Sequence, residues 1–280
     1  MILAVDLGNY NIKTSEEVIF SSRFVQDSDF APVGEDIIEY NNKIYTMQKG
    51  EFENKFNKAE KNYMPNLLYA IAQSTSDKEI DLVLGVPLDN LSIRDKFKNE
   101  LKGKTFKFIF NNNDREITIN RIATIAEGMS SFYTLSKTDR EKDTLIIDIG
   151  GRTTNVVSFI NTKAEKKFTI NKGMIDLYDA IKTRVNLEGN NYNLEEIERL
   201  IKNGVFSNVE NEYSMFVNSI MNSIELKLKY DTYYIWFTGG GSIILEDVIK
   251  ATVKKAKFIE NALFSNAIGN KKVAKMKWSK

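Results

Sequence analysis

Short apolar runs that close on a carboxylate and a glycine alternate along this chain with segments of helical period. Ile2–Leu7 reads as a buried strand, Gly8-Asn9-Tyr10-Asn11 as a turn, and a second strand begins near Ile12. Residues 15–62 are polar and irregular, apart from a hairpin pattern at 37–45 whose Asn41-Asn42 pair suits the positive φ of a tight turn. Residues 64–75 predict a helix with Pro65 in its first turn, and 80–86 a strand ending at Pro87. Ser92–Leu101 suits a charged surface helix, and 105–110 with 115–120 a hairpin across 111–114. A helix is expected at 127–136.

The opening pattern then returns. Residues 143–157 are again strand, glycine turn and strand, with Val5-Asp6-Leu7-Gly8 lying over Ile147-Asp148-Ile149-Gly150. This internal duplication predicts two similar domains facing each other. Helices are expected at 174–186, 193–203 and 213–229, and a strand at 233–238 running into Gly239-Gly240-Gly241. A further helix is expected at 242–254 and a short apolar one at 258–268. A tail with Lys271, Lys272, Lys275, Lys277, Lys280 and Trp278 reads as a frayed, solvated end or as a filament or adaptor contact.

Composition narrows the chemistry. The 280 residues suffice for one large domain or two packed ones, and a net charge of +1 gives no global attraction to nucleic acid or anionic membrane. The chain has no Cys and no His, which removes disulfides, thiolate metal sites, imidazole acid–base chemistry and the Ser-His-Asp arrangement. Carboxylates, Lys, Arg, hydroxyls and oxygen-held hard cations remain. No apolar run approaches the roughly 20 residues of a membrane span, and Met1–Val5 meets Asp6 too early for a signal core, so the expectation is a cytoplasmic protein.

A carboxylate at a strand end followed two residues later by Gly suits a nucleotide neighbour. Asp6 can accept hydrogen bonds from the water shell of Mg²⁺, which keeps several of its waters. Gly8 lets backbone amides approach phosphate oxygens, and Lys13 offers a charge-assisted contact. A lone copy reads more readily as a strand ending in an Asx turn. The second copy, Asp148 with Gly150, Gly151, Arg152, Thr153 and Thr154, favours two hairpins bracketing a polyphosphate–Mg²⁺ group across a cleft. Gly239, Gly240 and Gly241 place amides at a helix start and leave room for a base or ribose. A P-loop pattern is absent from the sequence.

In this order, Asp6-Leu7-Gly8-Asn9, Glu127-Gly128, Asp148–Thr154, Thr238–Gly241 and Glu260–Gly269 resemble the five motifs of the actin, Hsp70 and sugar-kinase superfamily. The Asn266-Ala267-Ile268-Gly269 ending, Leu84-Gly85-Val86-Pro87-Leu88 and Arg94-Asp95-Lys96-Phe97 are similar to the plasmid-segregation actins of the ParM and AlfA type. The resemblance implies an α/β, actin-like (ribonuclease H-like) duplicated fold with a central nucleotide cleft. Domain I would span 1–140, with an insertion at 15–62 as subdomain IB and a closing helix at 258–280. Domain II would span 141–257, with a reduced subdomain IIB at 173–212 like that of AlfA.

It also implies roles. Asp6 and Asp148 would hold Mg²⁺ through water, and Gly8, Asn9, Tyr10, Asn11, Lys13, Gly150, Gly151, Arg152, Thr153, Thr154, Gly239, Gly240 and Gly241 would surround ATP or GTP. Glu127 would orient the attacking water at the head of a helix, or simply be an acid well placed at a helix N-terminus. Glu198 and Lys202 either face the ribose or form a surface ion pair. The implied function is an ATPase that polymerises into filaments to segregate plasmid DNA. Its partners would be further copies of itself and an adaptor on a centromere-like site, with no direct DNA contact and no membrane. The alternative is a small-molecule kinase of the same superfold, like type III pantothenate kinases.

Overall fold

The computed structural model describes residues 1–27, 34–52, 61–86, 92–206 and 208–279. The chain divides into two compact units, residues 1–134 with 266–280 and residues 135–265. Pro87 and Leu88, and Lys280 of the basic tail, lie outside the described residues.

The first unit is built on β1 (Ile2–Leu7), β2 (Asn11–Thr14), β3 (Ile19–Ser21), β4 (Phe24–Asp27), β5 (Ile37–Tyr40) and β6 (Lys43–Met47). It continues with α1 (Met64–Ser74), β7 (Glu79–Val86), α2 (Ser92–Leu101), β8 (Lys104–Phe110) and β9 (Asn113–Ala126). The strands form one nine-stranded sheet in the order β3-β2-β1-β7-β9-β8-β5-β6-β4. β1, β7 and β9 run parallel at its centre, and parallel strands covered on both faces read as near-continuous apolar runs. Leu3, Val5, Leu82, Leu84, Ile117 and Ile119 share a core with Leu67, Leu68 and Ile71 of α1 and Ile93 and Phe97 of α2. Substituting one of these leucines by Ala is expected to cost about 2–5 kcal/mol.

Two expectations are corrected here. Residues 15–62 are not irregular throughout: their described parts supply β3 to β6, with β5 and β6 turning on Asn41 (φ 52°) and Asn42 (φ 58°). The 127–136 helix is absent. β9 runs on to Ala126, Gly128 turns at φ 73°, and only a 3₁₀ helix, Ser130–Thr134, follows.

The second unit opens with α3 (Lys137–Arg140), capped by the Ser136 hydroxyl, and β10 (Thr144–Ile149), β11 (Thr154–Ile160) and β12 (Lys163–Ile170). Next come α4 (Met174–Leu187), α5 (Leu194–Lys202), α6 (Glu210–Glu225), β13 (Tyr234–Thr238), α7 (Gly240–Ile244), α8 (Glu246–Thr252) and β14 (Lys257–Phe258). Its sheet order is β12-β11-β10-β13-β14. β10 to β12 are antiparallel neighbours, and β13 and β14 run parallel beside β10, as β7 and β9 do beside β1. The sequence duplication is therefore a duplication of topology. The expected 242–254 helix is broken at Leu245, between α7 and α8.

The 258–268 helix is also corrected. Phe258 pairs with Phe237 as part of β14, Asn261 turns at φ 57°, and the helix that follows, α9 (Ser265–Trp278), starts later and absorbs the described tail. α9 belongs to the first unit from Asn266 on. Its Ala274 packs on Ala4 and Val83, with Trp278, Ile2, Ala123 and Ile125 around them, on the sheet face opposite α1. The tail is thus not a frayed end: Lys271 pairs with Glu16 at 2.5 Å, and the Arg121 guanidinium stacks over Trp278 at 4.7 Å. Among the described residues no helix is long and apolar enough to cross a membrane.

Candidate functional site

The period-two alternation of the first sheet decides which side chains share the α9 face. Leu3, Val5 and Leu7 point into the main core, so Ile2, Ala4 and Asp6 point the other way. By the same rule Asp81, Val83 and Gly85 of β7, and Arg121, Ala123 and Ile125 of β9, belong to that face. Asp6 lies at the C-terminal end of β1, 9% exposed, directly across from Lys13 on β2. The turn after it is tight: a Cβ on Gly8 would stand 2.2 Å from the Asn11 carbonyl oxygen. Asn9 is held by Lys61, whose Nζ donates to Asn9 Oδ1 at 2.6 Å, and by the Ser22 hydroxyl on its carbonyl at 2.8 Å. Tyr10 stacks on Phe52 with centroids 4.6 Å apart. Beneath the turn lies a small cavity of about 40 Å³ lined by Gly8, Ser22, Lys61 and Asn66.

Glu127 follows β9 directly, its amide donating to the Val86 carbonyl at 2.8 Å, so a strand end and not a helix head presents it. Gly85 is the meeting point. A Cβ built there would lie 3.6 Å from Asp6 Oδ1, 3.7 Å from Glu127 Cγ and 3.7 Å from Asn270 Nδ2. α9 crosses the Ser130 segment so closely that a Cβ on Gly269 would come within 2.0 Å of the Ser130 carbonyl oxygen. Asn266 locks the crossing by accepting from Ser131 Oγ at 2.8 Å.

In the second unit Asp148 ends β10, 5% exposed, opposite Asn155 on β11 and Thr238 on β13. The hairpin closes through Gly150 N–H to Thr153 O at 2.9 Å, and the first amides of α4, at Met174 and Ile175, donate to the Gly150 and Gly151 carbonyls. Arg152 is buried. Thr154 is fully buried and gives its hydroxyl to the Lys172 carbonyl at 2.9 Å, so it holds the hairpin. Gly239, at φ 83°, is pressed onto the carboxylate: its Cβ would stand 2.3 Å from Asp148 Oδ1 and 2.5 Å from the Ile149 carbonyl oxygen. Thr238 Oγ1 reaches Ser265 Oγ at 2.6 Å and the Ala262 carbonyl at 3.1 Å.

The predicted residues thus gather in two groups: Asp6 to Lys13 with Glu127 in the first unit, and Asp148 to Thr154 with Gly239 to Gly241 in the second. Glu198 and Lys202 form an ion pair at 2.6 Å with Lys202 largely exposed. Two residues escaped sequence reading, Lys61 and Asn270. Lys61 looks like one more cation in a polar stretch, and Asn270 like an ordinary helix residue; only their neighbours single them out.

Residues 4–129 match the family described as actin like proteins, N terminal domain. No curated protein matches the chain by sequence. Among solved structures, the chain is similar to Ta0583, an archaeal actin homolog in complex with ADP, at 19% identity and TM-score 0.82, over 99% of this chain and 100% of that one. It is similar to the protein of a 15-stranded ParM filament from Clostridium botulinum at 22% identity and TM-score 0.80, over 98% and 99%. It is similar to AlfA in a filament bound to AMPPNP at 18% identity and TM-score 0.71, over 100% and 98%. Residues 4–129 thus match the N-terminal domain of the actin like proteins, and the chain as a whole has the actin-like fold of these structures.

Proposed function

We propose that this chain is a Mg²⁺-dependent ATPase that polymerises when it binds nucleotide and works in plasmid segregation through an adaptor on DNA. The observation that carries the reading is the convergence of Asp6 and Glu127 on the space beside Gly85, next to a hairpin that only glycine can close. The residues fit the absent group. Asp6 and Asp148 are acceptor-only carboxylates at strand ends, suited to a hydrated cation, and the Gly8 and Gly150 hairpins bring backbone amides beside them. When bound, Mg²⁺ would neutralise charge on the phosphates.

The chain's own residues supply the rest. Lys13 and Lys61 place two cations beside the first hairpin, within reach of an anion that replaces Asn9 as the partner of Lys61. Glu127 accepts a proton or hydrogen bond from water and so directs its lone pair. Gly239 and Gly241 pack their backbone onto Asp148, Ile149 and Met174, and the amides at the start of α7 beside them suit a ribose or base. The adenine nucleotides carried by Ta0583 and AlfA support ATP over GTP. Likeness over nearly the full length to two proteins solved as filaments supports assembly over phosphate transfer to a small molecule.

The test is light scattering with electron microscopy on the purified chain, with ATP and Mg²⁺ across a range of salt. Filaments that depend on nucleotide are expected. Absence of filaments together with transfer of phosphate to a small alcohol would overturn the reading in favour of a kinase.

A further inference from the structure

The row of side chains that crosses the second sheet at Asp148 is polar from end to end. In register on β12, β11, β10 and β13 stand Thr169, Asn155, Asp148 and Thr238. Residues directly opposite in an antiparallel pair share a face, with Cβ atoms about 4.5–5.5 Å apart, so Asn155 has Thr169 on one side and Asp148 on the other. Asn155 is 5% exposed and lies between Thr154 and Val156, both fully buried. A buried amide costs stability unless it is hydrogen-bonded, and a valine would fill a strand interior without that demand.

The Thr169 hydroxyl donates to Asn155 Oδ1 at 2.9 Å. That bond fixes the planar amide: its oxygen turns to β12, so its nitrogen leans the other way, to β10 and Asp148. The opposite flank of the carboxylate is closed. Asp148 Oδ1 lies 2.3 Å from where a Cβ on Gly239 would stand, and the Thr238 hydroxyl is engaged with Ser265 and the Ala262 carbonyl. In the first unit the residue opposite Asp6 is Lys13. The exchange has a chemical consequence. A cation there offsets the charge of the carboxylate, whereas an amide donates a hydrogen bond and leaves that charge whole for another cation.

We infer that Asn155, locked by Thr169, is a positioning residue for Asp148. It holds the carboxylate in one orientation, so that the water shell of Mg²⁺ meets an aligned acceptor with its full charge. The inference rests on the Mg²⁺-dependent nucleotide binding proposed above. It adds that Asp148, with a neutral neighbour, carries most of the dependence on the metal.

The test uses the full chain with Asn155→Leu, which removes the donor at similar volume, Thr169→Val, which removes the lock, and the double variant. Melting is followed in EDTA without nucleotide, and equilibrium binding of a non-hydrolysable ATP analogue is titrated with Mg²⁺ and repeated in EDTA. Asn155→Leu should melt close to wild type and keep its metal-free affinity within about threefold, while half-saturation by Mg²⁺ rises about tenfold or more. Thr169→Val should raise it by about threefold, and should add nothing in the Asn155→Leu background, because the lock acts only through the amide. An unchanged Mg²⁺ half-saturation in Asn155→Leu overturns the inference alone. So does a fall in melting with equal losses of affinity in Mg²⁺ and EDTA, which makes Asn155 a packing residue. A Thr169→Val effect that persists in full without Asn155 overturns the lock. Should Asn155→Leu fail to fold, Thr169→Val decides by itself, and half-saturation equal to wild type overturns the inference. A wild-type chain whose analogue affinity ignores Mg²⁺ overturns both this inference and the metal dependence proposed above.

Discussion

The two units repeat one strand order and then treat the position beside their carboxylate in opposite ways. Next to Asp6 the neighbouring strand offers Gly85, and the space it leaves is shared with Glu127 and the Asn270 amide nitrogen. Next to Asp148 the neighbouring strand offers Thr238, whose hydroxyl is bound to Ser265 and Ala262, and Gly239 closes over the carboxylate. The duplicated frame fixes where each carboxylate stands. What differs is the neighbour: a glycine without a side chain beside Asp6, a hydrogen-bonded threonine and a closely packed glycine beside Asp148. On the proposed function, the site of the second unit holds nucleotide and the site of the first unit activates water.

The largest expected effect comes from Gly239→Ala. Its φ of 83° and the 2.3 Å approach to Asp148 Oδ1 leave no place for a methyl group. Backbone strain of about 1–3 kcal/mol is expected before the clash is counted. Melting temperature should fall clearly, and nucleotide affinity by about a hundredfold or more, as read by fluorescent-nucleotide titration. Gly85→Ala is the counterpart. Its methyl would meet Asp6, Glu127 and Asn270 at 3.6 Å or more, ordinary contact distance, so the fold should tolerate it. Analogue affinity should hold within about threefold while phosphate release slows about tenfold, because the methyl displaces water. If both variants lose affinity equally, the two half-sites do not differ as described.

Much of this frame was readable from residue pattern. The Asn41-Asn42 and Asn111-Asn112 turns, all at positive φ, declare their hairpins, and Asp-x-Gly appears at both carboxylates. Other elements were hidden for physical reasons. β12 is largely exposed and Lys-rich, so it shows no apolar alternation, and its turn uses Asn161-Thr162 (φ 50° and 65°), where Thr is a poor signal. Phe258 and Ile259 look like part of an apolar helix until Phe237 draws Phe258 into a strand and accepts from the Ile259 amide. Glu127 looks like a helix cap because nothing local announces that β9 continues to Ala126. Asn270 acquires meaning only when three strand ends arrive beside it.

Smaller effects sharpen the same contrast. Thr238→Val keeps shape and removes the hydroxyl that joins Ser265 to the Ala262 carbonyl. It should cost about 1–2 kcal/mol by chemical denaturation and leave phosphate release per bound nucleotide unchanged. Asp81→Asn tests the far end of the α9 face. Hydrogen bonds from Arg121 at 2.6 and 2.8 Å hold the Asp81 carboxyl below its ordinary value against the opposing pull of partial burial. A depressed carboxyl contributes stability above its unfolded pKa and loses it as pH falls through the folded value. Arg121 is half exposed, so the loss in neutral buffer should be about 0.5 kcal/mol or less. In melting curves the gap between wild type and variant should close in strongly acidic buffer.

The most direct test sets Glu127→Gln beside Asp148→Asn and measures ATP-analogue affinity and single-turnover phosphate release for each. Glu127→Gln should keep its affinity within about threefold and lose about a hundredfold or more in rate. Asp148→Asn should lose chiefly Mg²⁺-dependent affinity. A Glu127→Gln chain that hydrolyses ATP at the wild-type rate, or one that no longer binds the analogue, would contradict the assignment of chemistry to the first unit.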